Sequence, residues 1–187
     1  MSDSGEKVQR SDAQENRRHL IEVARDALAV SPAASLNSIA KAAGVGAGTL
    51  YRHFPNREAL VLEVYRHEID ELARSAPSLL TAHPPLEALR LWLDRLARDI
   101  RIKHGFGEVV SPAAHDSVAR ETYAPVIGAI ALLLEAGKQA GVVRRDLDAD
   151  ELLLMMSFAS RTEPGRKGDT KVRRMLDVLA DGLRAPR

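Results

Sequence analysis

The sequence predicts an all-α protein. Apolar residues recur at intervals of three and four in segment after segment, the period of a half-buried helix. No stretch alternates apolar and polar residues as a strand would, and no internal repeat is visible. The chain has 187 residues, 45% of them hydrophobic, which is enough for a real core. That length suits one large domain, or a small one followed by a medium one.

Composition narrows the function classes. Net charge is only +1, so any polyanion-binding surface has to be local. The chain has no cysteine, which excludes disulfides and thiolate metal sites. No apolar run reaches the ~18 residues that span a bilayer. The opening MSDSGEKVQRSDAQENRR lacks the apolar centre of a signal peptide. The expectation is a soluble, cytoplasmic protein with no membrane partner.

The elements follow in order. Residues 1–11 are charged and almost without apolar side chains, so a disordered tail is expected there. From Asp12 a helix begins, with Leu20, Ala24, Ala27 and Leu28 on one face and Ile21 beside them. Ser31-Pro32 ends it, because proline biases its predecessor away from helical angles. Ser35 is a good N-cap for a short second helix with apolar face Leu36, Ile39, Ala40 and Ala43. Gly44 suits the left-handed residue that closes such a helix. A third helix runs from about Ala47 to His53, and Pro55-Asn56 ends it. Asn56 caps a long fourth helix carrying Leu60, Val61, Val64, Tyr65, Ile69 and Leu72.

Ser75 to Pro85 holds three prolines and reads as a linker. Pro84-Pro85 opens a helix with Leu86, Leu89, Leu93, Leu96 and Ile100 on one face. A poorly defined segment surrounds Phe106 to Ala114. The next helix, about Asp116 to Ala140, contains the run Val126 to Leu134, apolar nearly all round and therefore expected to be buried on most sides. Gly141 stops it. Asp148 with Glu151 has the spacing of a capping box for a helix carrying Leu152 to Phe158. Arg161 to Asp169 reads as a loop, and a last helix holds Val172, Met175, Leu176, Leu179 and Leu183.

The stretch Gly44-Val45-Gly46-Ala47-Gly48 carries the functional question. A dinucleotide loop needs a strand before it and G-x-G-x-x-G spacing. Here a helix precedes, the spacing is G-x-G-x-G, and no Gly-Lys-Ser/Thr follows. A short helix, a glycine turn and a second short helix instead make a helix–turn–helix. Gly44 reverses the chain, and Val45 points into a small core with Leu28, Ile39, Leu50 and Phe54. Gly46, Ala47 and Gly48 leave the tip of the third helix free of bulk, so its backbone can approach DNA closely. In that geometry the second helix of the pair enters the major groove with its N-terminal residues foremost and its N–H groups facing phosphates. Thr49 offers a hydroxyl and a methyl, Tyr51 and His53 reach phosphate or sugar, and Arg57 adds a cation. Asn37 and Lys41 lie off the apolar face of the second helix. Across residues 31–60 three cations (Lys41, Arg52, Arg57) stand against Glu58, a balance of +2.

These residues carry a family resemblance. Ser35, Ile39-Ala40, Ala43-Gly44-Val45, Gly48-Thr49-Leu50-Tyr51, His53-Phe54 and Asn56-Arg57-Glu58-Ala59-Leu60 make the span from about Asp12 to Tyr65 resemble the DNA-binding domain of the TetR (tetracycline-repressor-like) family. The resemblance implies a homodimer, three N-terminal helices on DNA and a larger ligand-sensing domain behind them. It also implies that Thr49, Tyr51, His53 and Arg57 hold usual DNA-contact positions. Gly46 departs from the pattern, since the family commonly has serine or threonine there. The second half resembles one TetR-like subgroup more loosely, through Pro85 to Arg90, Lys103-His104-Gly105 and Ala140 to Leu147.

The expected architecture is therefore all-α, with a helix–turn–helix DNA-binding domain and its linking fourth helix at 12–75. A larger helical effector-binding and dimerisation domain follows at 76–187. DNA-binding candidates are Asn37, Lys41, Gly46, Ala47, Gly48, Thr49, Tyr51, His53 and Arg57. Phe54 is assigned to the core and Arg52 to a solvated charge or long-range phosphate neighbour. Arg10, Arg17 and Arg18 have an alternative reading as a minor-groove arm. Pocket candidates are Trp92, Phe106, Met155, Met156 and Phe158, with Arg101, His104 and His115 to orient a polar ligand; plain core packing is an equal alternative for the apolar ones. Dimer candidates are Leu152, Met156, Val172, Met175, Leu176, Leu179 and Leu183, with packing inside the subunit as the alternative. Glu63 and His67 have a metal-pair spacing, but without a third ligand an ion pair is the reading taken. No local motif suggests a catalytic set, and no cofactor is expected. The function expected is a regulator, a repressor released from a palindromic operator by a small molecule. Its rivals are a helical enzyme and an all-α protein-interaction module.

Overall fold

The computed structural model describes residues 3–31, 33–105, 110–162 and 165–186, and their side chains except those of 3–14, 102–105 and 115. The helices are α1 (Asp3–Val30), α2 (Leu36–Ala42), α3 (Ala47–His53), α4 (Arg57–Ala82), α5 (Pro85–Gly105), α6 (Pro112–Gln139), α7 (Ala149–Met155) and α8 (Arg166–Gly182). A 3₁₀ turn, Met156–Arg161, continues α7. Among the described residues there is no strand; a lone antiparallel bridge pairs Val143 with Arg184.

The chain forms two compact units, Met1–His67 with Glu108–His115, and Glu68–Gly107 with Asp116–Arg187. In the first, α1 buries Leu20, Ile21, Ala24 and Leu28, α2 buries Leu36, Ile39 and Ala40, and α3 buries Leu50. Phe54, Leu60, Val61 and Val64 complete this core. In the second, α5 contributes Leu89, Trp92, Leu93 and Leu96, and α6 contributes Ile130, Leu133 and Leu134. Leu152, Met156, Val172 and Leu176 belong to the same unit and are also buried.

Local caps agree with the sequence. Ser35 Oγ accepts from the Ser38 N–H at 3.1 Å, and Asn56 Oδ1 accepts from the Ala59 N–H at 2.8 Å. Asp148 and Glu151 satisfy each other's backbone N–H groups at 2.8 and 3.0 Å, a full capping box.

Three expectations are corrected. First, α1 begins at Asp3 and not near Asp12. Its opening residues include Glu6, Lys7, Gln9, Arg10, Ala13 and Gln14, good helix formers that need no apolar face to propagate a helix already started. Second, the proline-rich stretch is not a linker, because α4 runs through Pro77 to Ala82. Ile69, Leu72 and Ala76 keep a buried face at helical spacing. One turn before Pro77, the Leu72 carbonyl accepts from Trp92 Nε1 at 2.9 Å and Ser75 Oγ at 2.7 Å. The division between units falls instead after His67, inside α4. Third, α6 is not buried on most sides. Ala124, Pro125, Gly128, Ala131 and Leu132 form an exposed apolar stripe, with Leu132 44% exposed. By length and composition α6 could cross a bilayer, yet Val126, Ala129, Ile130, Leu133 and Leu134 are packed inside its unit as in a core helix.

Candidate nucleic-acid interface

The turn between α2 and α3 is built from backbone chemistry. Val45 N–H bonds the Ala40 carbonyl at 3.0 Å and Gly44 N–H bonds Lys41 at 3.2 Å. This is a Schellman closure with Gly44 in the left-handed position, at φ +68°. Gly46 then caps α3 with extended backbone and no side-chain bond. Its carbonyl accepts from the Thr49 and Leu50 N–H groups at 2.9 and 3.3 Å. The reversal costs little because only Gly44 needs positive φ.

Packing decides which face of α3 looks outward. Leu50 is buried in the core, as is Phe54 just past its end. Arg17 of α1 lies over the Phe54 ring, 5.3 Å from its centroid, and bonds Glu63 of α4 at 2.7 Å. That bond, offset in part by desolvation and aided by the Arg17 and Arg66 charges, holds the Glu63 carboxyl below its usual range. Arg17 is thus a clamp on the end of α3 and not part of a groove-seeking arm. Glu63 takes Arg17 and Arg66 as ion-pair partners. Arg18 is exposed, and the Arg10 side chain is outside the described residues.

The outward face brings most predicted contacts together. Asn37 and Lys41 of α2 are exposed, as are Gly46, Ala47 and Gly48. Tyr51 is 46% exposed. Thr49 and His53 are half-buried at the flank, with the His53 ring 6.2 Å from that of Phe54. Arg57 is half-buried, and its Nε donates to the Ala34 carbonyl at 3.2 Å, so it also anchors the entry to α2. A Cβ placed at Gly46 or Gly48 would meet nothing within 4 Å. No Asp or Glu occurs between Asp26 and Glu58. Glu58 itself accepts from the Ser111 N–H at 2.7 Å, and that backbone bond pulls its pKa below the usual value. The result is a cationic, side-chain-poor ridge with its carboxylates held elsewhere.

The family model of tetR-type bacterial regulatory proteins matches residues 20–64, which contain this ridge. A second model, the C-terminal domain of SbtR-like transcriptional regulators, matches residues 84–185. The chain belongs to the TetR family. A TetR transcriptional regulator from Streptomyces coelicolor is 32% identical, covers 91% of this chain and 99% of its own, and superposes with a TM-score of 0.78. A TetR regulatory protein from Mycobacterium vanbaalenii is 31% identical over 95% of this chain and 99% of its own, with a TM-score of 0.71. HTH-type transcriptional regulators of Staphylococcus aureus are 42% identical over 64 residues, which is 33% of this chain. The chain therefore spans 34% of the length of those curated relatives.

In the second unit of this TetR-family chain the pocket candidates are dispersed. Trp92 is fully buried and bonded to Leu72, so it is core. Met156 is likewise fully buried. Arg101 pairs with Asp169. Met155 is exposed and Phe158 half-buried, while the side chains of His104, Phe106 and His115 lie outside the described residues. None of the predicted pocket residues lines the cavities described here, of about 490 to 570 Å³. One of these, about 490 Å³, is lined by Glu68, Glu71, Leu72, Ser75, Arg95, Arg98 and Asp99. Burial, then the nearby Glu68 charge, pushes the Asp99 carboxyl up to about 7 against partial relief from Arg98 and Arg95. Helical spacing could not have singled out Asp99, because the Glu68 charge and the α4 residues that share its cavity come from another helix.

The dimer candidates divide by burial. Leu152, Met156, Val172, Leu176 and Leu183 are buried within the single chain, which is the packing-inside-the-subunit alternative. Only Met175 and Leu179 keep partial exposure. The apolar surface on these elements belongs to Leu154, 73% exposed, Met155, and Val178, 69% exposed. A periodic apolar face marks the inside of a subunit first.

Proposed function

We propose that this chain is a ligand-responsive repressor that binds a palindromic operator as a homodimer and leaves it when a small molecule occupies the second unit. The observation that carries this reading is the exposed ridge of Gly46, Ala47, Gly48 and Tyr51 on a helix whose opposite side is locked into the core. Thr49, Tyr51 and His53 meet the duplex along the ridge, while Asn37, Lys41 and Arg57 approach from α2 and from the first turn of α4. Lys41 and Arg57 supply phosphate neutralisation, which makes affinity salt-sensitive. Two ridges related by a two-fold axis read half-sites one helical turn apart, or a multiple of it. The effector acts by binding better to a conformation whose ridges are wrongly spaced. Cavities of about 490 to 570 Å³ in the second unit have the size of small-molecule sites.

Gel-shift titration of Tyr51→Ala tests the reading. Operator affinity should fall while helicity and molecular mass stay as in the wild type. Undiminished affinity would remove Tyr51 from the interface and take the central support from the proposal.

A further inference from the structure

We infer that Arg52 is the residue of α3 that reads base identity, and that the base it reads is guanine. This deepens the proposed DNA-binding role and rests on it. The sequence alone favours a solvated charge at Arg52, and nothing in its local spacing corrects that. Exposure along residues 47–54 does. It runs through two identical periods: Ala47 and Gly48 exposed, Thr49 half-buried, Leu50 buried; then Tyr51 and Arg52 exposed, His53 half-buried, Phe54 buried. Ala47, Gly48, Tyr51 and Arg52 therefore form one strip, with Gly48 and Arg52 one turn apart on the same row.

The first turn of the strip carries nothing larger than a methyl group, and the space over Gly48 is empty. A groove floor can therefore come close to the backbone there. Only Tyr51 and Arg52 project hydrogen-bonding groups from the strip itself. A tyrosine hydroxyl offers a single donor. The guanidinium offers a planar fork of parallel N–H groups. In the major groove that fork matches O6 and N7 of guanine, the base edge with two adjacent acceptors.

Arg52 is also unquenched. Among the described residues it makes no hydrogen bond, ion pair or ring contact. The acidic residues that bound its stretch of sequence are occupied. Asp26 pairs with Arg25 at 2.9 Å, and Glu58 holds the Ser111 N–H. Arginine side chains left uncommitted on a ridge with no competing carboxylate keep their donors for an external acceptor.

The test is selection from randomised duplexes with the full-length wild type and with Arg52→Ala. The wild type should enrich a half-site with a guanine fixed at one position. The variant should enrich the same half-site with that position degenerate. Replacing that guanine by adenine should weaken the wild type roughly 5- to 100-fold and the variant hardly at all. Arg52→Lys should keep the salt dependence of the wild type and lose the discrimination. It also serves as the informative variant should Arg52→Ala not fold. An unchanged motif in both variants would overturn the inference. So would a uniform loss on every duplex with a salt slope shallower by about one, which marks a phosphate neighbour. A wild type that enriches no sequence would overturn the DNA-reading proposal itself, and this inference with it.

Discussion

Gly48 has room for a side chain that it does not carry. Its helical backbone does not need glycine either, since its φ is not positive. The chain's own packing therefore gives no reason for glycine here. Gly48→Leu should fold with a thermal midpoint equal to the wild type or slightly above it, because leucine is the better helix former by up to about 1 kcal/mol. Operator affinity by fluorescence anisotropy should fall more than tenfold, of order 1.4 kcal/mol. Asp99 makes the opposite kind of prediction. Its carboxyl titrates near 7 in the fold against 3.8 in the free side chain. Between those values the folded chain holds a proton that the unfolded chain has lost. Its contribution to stability is full below about 3.8, falls as pH rises and is gone above about 7. Asp99→Asn, which stays neutral, should melt higher than wild type at pH ~8, with the gap shrinking by pH ~5.

At the scale of elements, the α2–α3 unit separates two roles for glycine. Gly44 sits at φ +68°, where a Cβ costs about 1–2 kcal/mol. Gly46 is an N-cap with no side-chain bond and open space around it. Gly44→Ala should lower the urea midpoint, whereas Gly46→Ser should raise it by the few tenths of a kcal/mol that separate serine from glycine at such a cap. The sequence made this unit legible because its determinants are local: Ser35, Gly44, Asn56 and the Leu36–Ile39–Ala40 spacing lie within a few residues of what they control. The same holds for Asp148 with Glu151. What could not be read was settled by distant partners. Trp92 and the buried Ile69–Leu72–Ala76 face carry α4 past a proline that local rules treat as a stop. The outward stripe of α6 is invisible in a run where every residue is apolar. Arg52 became interpretable only when Leu50 and Phe54 fixed the rotation of α3.

For the molecule as a whole, the proposed dimer needs apolar surface not already used inside the subunit. Leu154 and Val178 meet that condition on α7 and α8, and Val178 lies opposite the buried Val172, Leu176 and Ala180. If a second copy covers them, as the two-fold symmetry of such assemblies requires of a shared patch, Leu154→Asp and Val178→Asp should sediment as monomers at micromolar concentration. Leu132→Asp, on the bare stripe of α6, should leave the mass unchanged; the reverse pattern would move the interface to α6.

Glu58 and Arg57 are neighbours on the first turn of α4, and each holds something different. One accepts from the N–H of Ser111, the residue before the 28-residue α6, at 2.7 Å, and the other steadies the Ala34 carbonyl at the doorstep of α2. Lengthening the Glu58–Ser111 bond by little more than an ångström would take it beyond useful length. The loss would fall one residue from the peg that seats α2 in the same compact unit.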